Sequence, residues 1–312
     1  MGKWSMTVAV VVMTTLMGMA VSTAQEGPHE EGLSEQEALF HIADDLQELW
    51  VEEPERFQAL EEARRGVMEL DAMSRSRSVN AARLLSSLDH DMLLPMLWAL
   101  VNDDPLSSGM GLETWRQWQV GLVEAVGRLR DERSAPVLMS LLEDGPHFPR
   151  LVRVTTASIG RSGDVASLER VMELARADES LRSPIVEGLG SSRQEEALDY
   201  LLAIIGDDGQ SKFHRQAARS LGDWLNQGGW ETSVYEDRRG MWRERRQGAM
   251  EAMVARYVEA PSEVQRELSK SLQLGGVEVA KEVVEGRLAE GDEAQRQALE
   301  ALLAELEASP LR

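Results

Sequence analysis

The sequence predicts an all-α fold, a right-handed α-solenoid of helical hairpins with helical caps. Three observations carry this. An apolar residue followed by a small one recurs five times, as Leu85-Ser86, Val126-Gly127, Ile159-Gly160, Leu189-Gly190 and Leu221-Gly222. The last four small residues are separated by 33, 30 and 32 positions. A fixed period of this length marks repeats that bury their faces only against their neighbours. Finally, apolar positions recur at helical steps on both sides of each small residue.

With the small residue as position zero, position −9 is Trp118, Leu151, Leu181 and Phe213, and position −5 is Ala81, Leu122, Thr155, Ile185 and Ala217. Steps of four down to the apolar residue at −1 keep to one side of a first helix. Downstream, +8 is Leu94, Ala135, Leu168 and Leu198, +11 is Leu97, Leu138, Val171 and Leu201, and +14 is Leu100, Leu141, Leu174 and Ile204. Those steps of three give a single apolar stripe on a second helix. Glycine at zero ends the first helix or lets another helix approach closely, because it has no Cβ. Asp131 and Asp164, both at +4, are placed to cap the turn or the next helix. Pro95 and Pro136 share position +9, where proline fits only a helix's first turn, so the second helix starts between about +5 and +7.

The pattern resembles the HEAT-like repeats of the bilin-lyase type. Their Leu-Gly-x-Leu-Gly-Asp, then Ala-x-Pro, then leucine pairs are similar to Val126-Gly127-Arg128-Leu129-Arg130-Asp131 with Pro136, Leu141 and Leu142. The nearest copy is Ile159-Gly160-Arg161-Ser162-Gly163-Asp164. The resemblance covers residues 76–225 well and 261–290 loosely. It implies the fold and leaves the function open, since such repeats recur in scaffolds, lyase subunits and inhibitors. Ankyrin and tetratricopeptide repeats are close in period, but their Thr-Pro-Leu-His and Trp-x-x-Leu-Gly-x-x-Tyr signatures are missing.

The remaining segments read as an address, caps and insertions. Residues 1–24 form a signal peptide: Lys3, an uncharged run from Met6 to Val21, and Ser22-Thr23-Ala24 before a cut at Gln25. Residues 25–33 are a polar linker, 34–75 an N-terminal helical cap, and 76–312 the solenoid, with insertions at about 105–114 and 226–240. The cap opens on a Ser34-x-x-Glu37 capping box, followed by an apolar face of Leu39, Ile42, Leu46 and Leu49. A second cap helix runs from Pro54 to Met73, and further helices are predicted at 241–259, 262–274, 277–289 and 293–308.

The formal net charge is −21, and removing the leader takes away Lys3 and no acid, leaving −22. Such a chain repels phosphate backbones and anionic bilayers, which argues against nucleic acid as a partner. No second long apolar run exists, so no stable membrane insertion is expected after cleavage. The chain has no cysteine, hence neither disulfides nor a lipid on a cysteine, and a periplasmic or secreted location fits.

Candidate chemistry is sparse. The five histidines form no catalytic or metal-binding motif. The best metal candidate, Glu37, His41 and Asp45, lies opposite the apolar stripe, where a solvated face accounts for it; no metal or cofactor is expected. Asp89-His90-Asp91 falls in a turn, where capping is the ordinary task. The stretch from Trp230 to Arg246 stands out in an acidic chain, with Trp230, Tyr235, Arg238, Arg239, Trp242, Arg243, Arg245 and Arg246. Such side chains are enriched at binding hot spots. They equally fill a gap where the period breaks, with the arginines paired to the protein's own acids. Trp118, at −9, is predicted core, and Trp115 lies three residues earlier on or near the same face.

These observations point to an exported, non-catalytic scaffold that binds a protein partner along its second helices and at 226–246. The candidate contact residues are Trp115, Trp230, Tyr235, Arg238, Arg239, Trp242 and Arg243. The bilin-lyase resemblance implies an alternative, a lyase-like enzyme subunit or maturation factor. A HEAT-like DNA glycosylase is opposed by the leader and the acidic charge.

Overall fold

The computed structural model describes residues 35–73, 81–106, 108–145, 147–230, 232 and 236–310; the leader, the linker, Ser34 and Tyr235 lie outside them. Among the described residues every regular element is helical. The chain divides into two compact halves, Met1–Ser167 and Leu168–Arg312.

The N-terminal half starts with α1 (Glu35–Glu52) and α2 (Pro54–Met73). Proline opens α2, where its missing N–H costs nothing. Ile42 and Leu46 of α1 are buried, as are Phe57, Leu60 and Val67 of α2. A short α3 (Ala81–Leu84) with a 3₁₀ turn at Leu85–Ser87 precedes α4 (Leu93–Asn102). Then come α5 (Leu112–Leu129), α6 (Ala135–Asp144) and α7 (Pro149–Ser162); α8 (Val165–Ala177) spans the division between the halves.

The C-terminal half continues with α9 (Glu179–Leu189), α10 (Glu195–Gly206), α11 (His214–Leu225), the short α12 (Gln227–Trp230), α13 (Arg239–Glu259), α14 (Ser262–Gly275), α15 (Val277–Glu290) and α16 (Glu293–Glu307). The last four correspond, within two residues at each end, to the helices predicted from 241 onward. A capping box starts α16: Asp292 accepts from the Gln295 N–H at 2.9 Å, and the Gln295 side chain accepts from the Asp292 N–H at 3.2 Å.

The glycine at zero does not end the first helix. Gly127, Gly160 and Gly222 lie inside α5, α7 and α11, and Gly190 caps α9 in right-handed conformation, with φ −57°. Three of them admit a neighbouring helix instead. A Cβ would stand 2.9 Å from the Cα of Ser158 at Gly127, 2.8 Å from that of Ser220 at Gly190, and 2.9 Å from that of Ser271 at Gly222. The partner serine lies two positions before the next zero, Gly160 for Ser158 and Gly222 for Ser220, and Ser271 extends the register to Gln273. Ser158 Oγ donates to the Val123 carbonyl at 2.9 Å and Ser271 Oγ to that of Ala218 at 2.8 Å, each carbonyl four residues before the glycine.

The turn to the second helix needs left-handed backbone three residues later. Arg130, Gly163 and Arg193, all at +3, have φ of 56°, 92° and 59°. At +4 the predicted caps form: Asp131 accepts from the Arg133 N–H at 3.0 Å and Asp164 from that of Ala166 at 3.2 Å. The Arg133 guanidinium, hydrogen-bonded to Asp131, holds that carboxyl below the usual carboxylate range. Pro136 occupies the first turn of α6, as its position requires.

These contacts set opposite expectations for two glycines. Gly190→Ala should lose about 1–3 kcal/mol, because backbone atoms of Ser220 block the new methyl group. Gly286→Ala, mid-helix in α15 with nothing within 4 Å of the added carbon, should gain about 0.5–1 kcal/mol. Urea melts of the two variants measure both signs.

Candidate partner-binding site

In the C-terminal half, the predicted aromatic–arginine stretch is placed by α11, α12 and α13. Trp224 ends α11, Trp230 ends α12, and Trp242 lies in the first turn of α13. The ring centroids of Trp224 and Trp230 are 5.1 Å apart at 65°, and those of Trp230 and Trp242 are 6.2 Å apart at 25°. Trp224 and Trp230 are completely buried, and Trp242 is nearly so. The Trp224 indole donates to the Gln194 carbonyl at 3.0 Å and the Trp230 indole to the Trp224 carbonyl at 2.5 Å. The tryptophans are therefore interior, which corrects the expectation that Trp230 and Trp242 face a partner. A tryptophan filling the gap left by a broken repeat contributes its large apolar area and needs one acceptor, which the adjacent backbone supplies.

Most of the nearby arginines serve helix ends. Carbonyls in the last turn of a helix lack intrahelical donors and carry the negative end of the dipole. Arg193 donates to the carbonyls of Asp223 and Trp224 at the end of α11. Arg239 donates to that of Trp230 at the end of α12, at 3.2 Å. Arg246 donates to that of Gly275 at the end of α14, at 3.3 Å. The Arg193 and Arg246 guanidiniums also lie 5.3 Å and 4.5 Å from the ring centroids of Trp230 and Trp242. Burial, then the nearby charge of Arg243, pushes the Arg246 pKa down. Arg238 donates to Gln194 Oε1 at 2.9 Å, and Arg245 pairs with Glu195 and Asp199. Arg243 is exposed; Arg238 and Arg239 are half-buried.

A family model described as PBS lyase HEAT-like repeat matches residues 118–144, which run from mid-α5 through the turn to the end of α6. The chain is a HEAT-like repeat protein. No curated protein matches it.

In the N-terminal half, the HEAT-like period is broken before α5, and the break is closed in the same manner. Trp118, predicted core, is fully buried, and its indole donates to Asp103 Oδ2 at 3.0 Å. Trp115 is also buried, donating to the Asp103 carbonyl at 3.1 Å, so it too is withdrawn from the partner surface. Arg64 of α2 stands 3.6 Å from the Asp103 carboxylate. Burial raises the Asp103 pKa, against the opposing effects of the Trp118 hydrogen bond and Arg64.

Two histidines have structural partners. His214 is fully buried, accepting from Arg256 at 3.1 Å through Nδ1 and paired with the Asp207 carbonyl at 2.9 Å through Nε2. His147 Nε2 meets the Leu142 carbonyl at 2.6 Å. Of the metal candidate, the side chains of Glu37 and His41 lie outside the described set; Asp45 is exposed. Among the described residues no three His, Cys, Asp or Glu converge on a metal position.

Trp230→Ala should cost about 3–5 kcal/mol in urea melts, the range for truncating a buried tryptophan. For Asp103 the sign is also fixed. Its folded pKa exceeds the unfolded one, so the folded state binds the proton more tightly. Stability conferred by this group is lost as pH rises from the ordinary aspartate value through the raised one. Wild type should thus lose stability relative to Asp103→Asn over that interval, measured as the difference between their melts at successive pH values.

Proposed function

We propose that this HEAT-like protein is an exported, non-catalytic scaffold that binds a protein partner. The observation that carries this reading is how the repeats spend their surfaces. Their apolar and small residues are used on one another along the stack, while outward positions such as Asp199 and Ala203 on α10 and Arg215 and Arg219 on α11 stay exposed. Repeat arrays use such continuous outward faces for recognition. Of the predicted contact residues, Arg243 is the one fully at the surface, with Arg238 and Arg239 half-exposed beside it. Export is supported by the uncharged run from Met6 to Val21 and by Ser22-Thr23-Ala24.

N-terminal sequencing of protein from the exported fraction should begin at Gln25, whereas an intact Met1 on membrane-bound protein would make the leader an anchor. A partner should co-purify from that fraction at fixed stoichiometry, and Arg243→Glu should weaken the complex without moving the melting midpoint. Absence of any stoichiometric complex refutes the scaffold reading.

A further inference from the structure

The described residues leave seven large apolar side chains exposed, and four of them belong to one corner of the N-terminal half. Leu70 and Met73, in the last turn of α2, are 42% and 70% exposed; Leu112, which opens α5, is 54% exposed; Leu106, in the loop before it, is 93% exposed. Thr114 Oγ1 donates to Asp71 Oδ2 at 2.6 Å, fixing the start of α5 against the end of α2. The loop is closed internally as well: the Leu106 N–H donates to Asp104 Oδ1 at 2.8 Å and the Ser108 N–H to the Asp104 carbonyl at 3.0 Å. A structured corner that turns these side chains outward concentrates apolar surface where scattered single residues are the norm.

Its rim is acidic. Glu69, Asp71, Asp104 and Glu113 are exposed around the four apolar residues, and Arg116 is the guanidinium among residues 69–73 and 103–116. We propose that this corner docks a basic amphipathic helix of a partner protein. The leucines and the adaptable Met73 receive its apolar stripe, and the carboxylates face its lysines or arginines. A second copy would bring another net charge of −21 and another acidic rim, and an anionic bilayer would meet the same repulsion. The proposal rests on the scaffold reading and adds a surface and a partner chemistry to it.

The probe is a labelled leucine–lysine peptide patterned as an amphipathic helix, followed by fluorescence anisotropy with the full chain. Controls are a peptide of the same composition with scrambled leucines, and a leucine–glutamate peptide of the same pattern. The patterned lysine peptide should bind saturably and more weakly as salt rises, and both controls should fail. Met73→Ser/Leu106→Ser/Leu112→Ser should weaken binding at least tenfold with an unchanged melt, and so should Glu69→Lys/Glu113→Lys. The proposal is overturned if wild type does not bind, if either control binds as tightly, or if both variants bind like wild type. It is equally overturned if wild type sediments as a dimer that the serine variant abolishes, which assigns the corner to a second copy. Binding to phosphatidylglycerol vesicles that the serine variant abolishes would assign it to a membrane and likewise overturn it. A native partner captured equally by the serine variant sinks the corner and spares the scaffold, while peptide binding without any native complex supports the corner and sinks the scaffold.

Discussion

Close approach of one first helix to another at a glycine, closed by a serine hydroxyl, is the contact on which the stacking depends. A hairpin of two short helices cannot bury its apolar stripe alone, so each repeat must lie directly against a neighbour. At Gly127, Gly190 and Gly222 the neighbouring Cα stands where a side chain would begin. The serines at these crossings are buried, and a buried hydroxyl without a partner is costly. Ser158 and Ser271 meet that cost by donating to helix carbonyls. Leucine faces alone could slide along one another. A hydroxyl that must reach the carbonyl four residues before a glycine admits only one register, so the same contact stacks the repeats and aligns them.

Where the period breaks, polar demands of the backbone appear that a regular repeat would have satisfied. Tryptophan and arginine meet them. Each buried indole fills the missing volume and spends its N–H on an acceptor near the break, as Trp118 and Trp115 do on Asp103 and Trp230 does on Trp224. Each long guanidinium reaches the unpaired carbonyls of a helix end, in α11, α12 and α14. Away from the break, Arg182 does the same at the end of α8, donating to the carbonyls of Ala175 and Arg176. Holding Arg193 in left-handed backbone costs about 1 kcal/mol or more, and its two carbonyl bonds and the Trp230 ring offset that.

The period made the helices, their order and the capping aspartates legible in the sequence, because burial at steps of three and four leaves a pattern in residue types. The role of the zero glycine was only half legible: either use was consistent with the spacing, and the deciding signal lay two residues upstream. Ala125, Ser158, Gly188, Ser220 and Ser271 are all small, as a close crossing demands. The left-handed position at +3 carried no such signal, since arginine fills it twice. The aromatic–arginine stretch could not be assigned from composition. A hot spot and an internal plug use the same side chains, and only the placement of α12 between α11 and α13 separates them. The exposed corner was hidden for the opposite reason: Leu106 and Leu112 stand where the period is interrupted, so no periodicity indicated whether they point in or out.

The two insertions solve one problem with different outcomes. Both must return the chain to the repeat register, and both do so with buried tryptophans. Around 226–240, Trp230 is the plug itself, so the described apolar surface of the break goes into the core. Around 105–111 the plug comes from α5, because Trp115 and Trp118 reach back to Asp103 and hold the loop by its base. That frees the tip from any packing duty, and it carries the most exposed large apolar side chain among the described residues, Leu106. A loop anchored at its base on a rigid scaffold, with an outward apolar tip and an acidic surround, is the arrangement in which surface loops acquire binding roles. Fold and recognition are thereby divided within one short segment: Asp103 closes the core, and the residues after it are left to the surface.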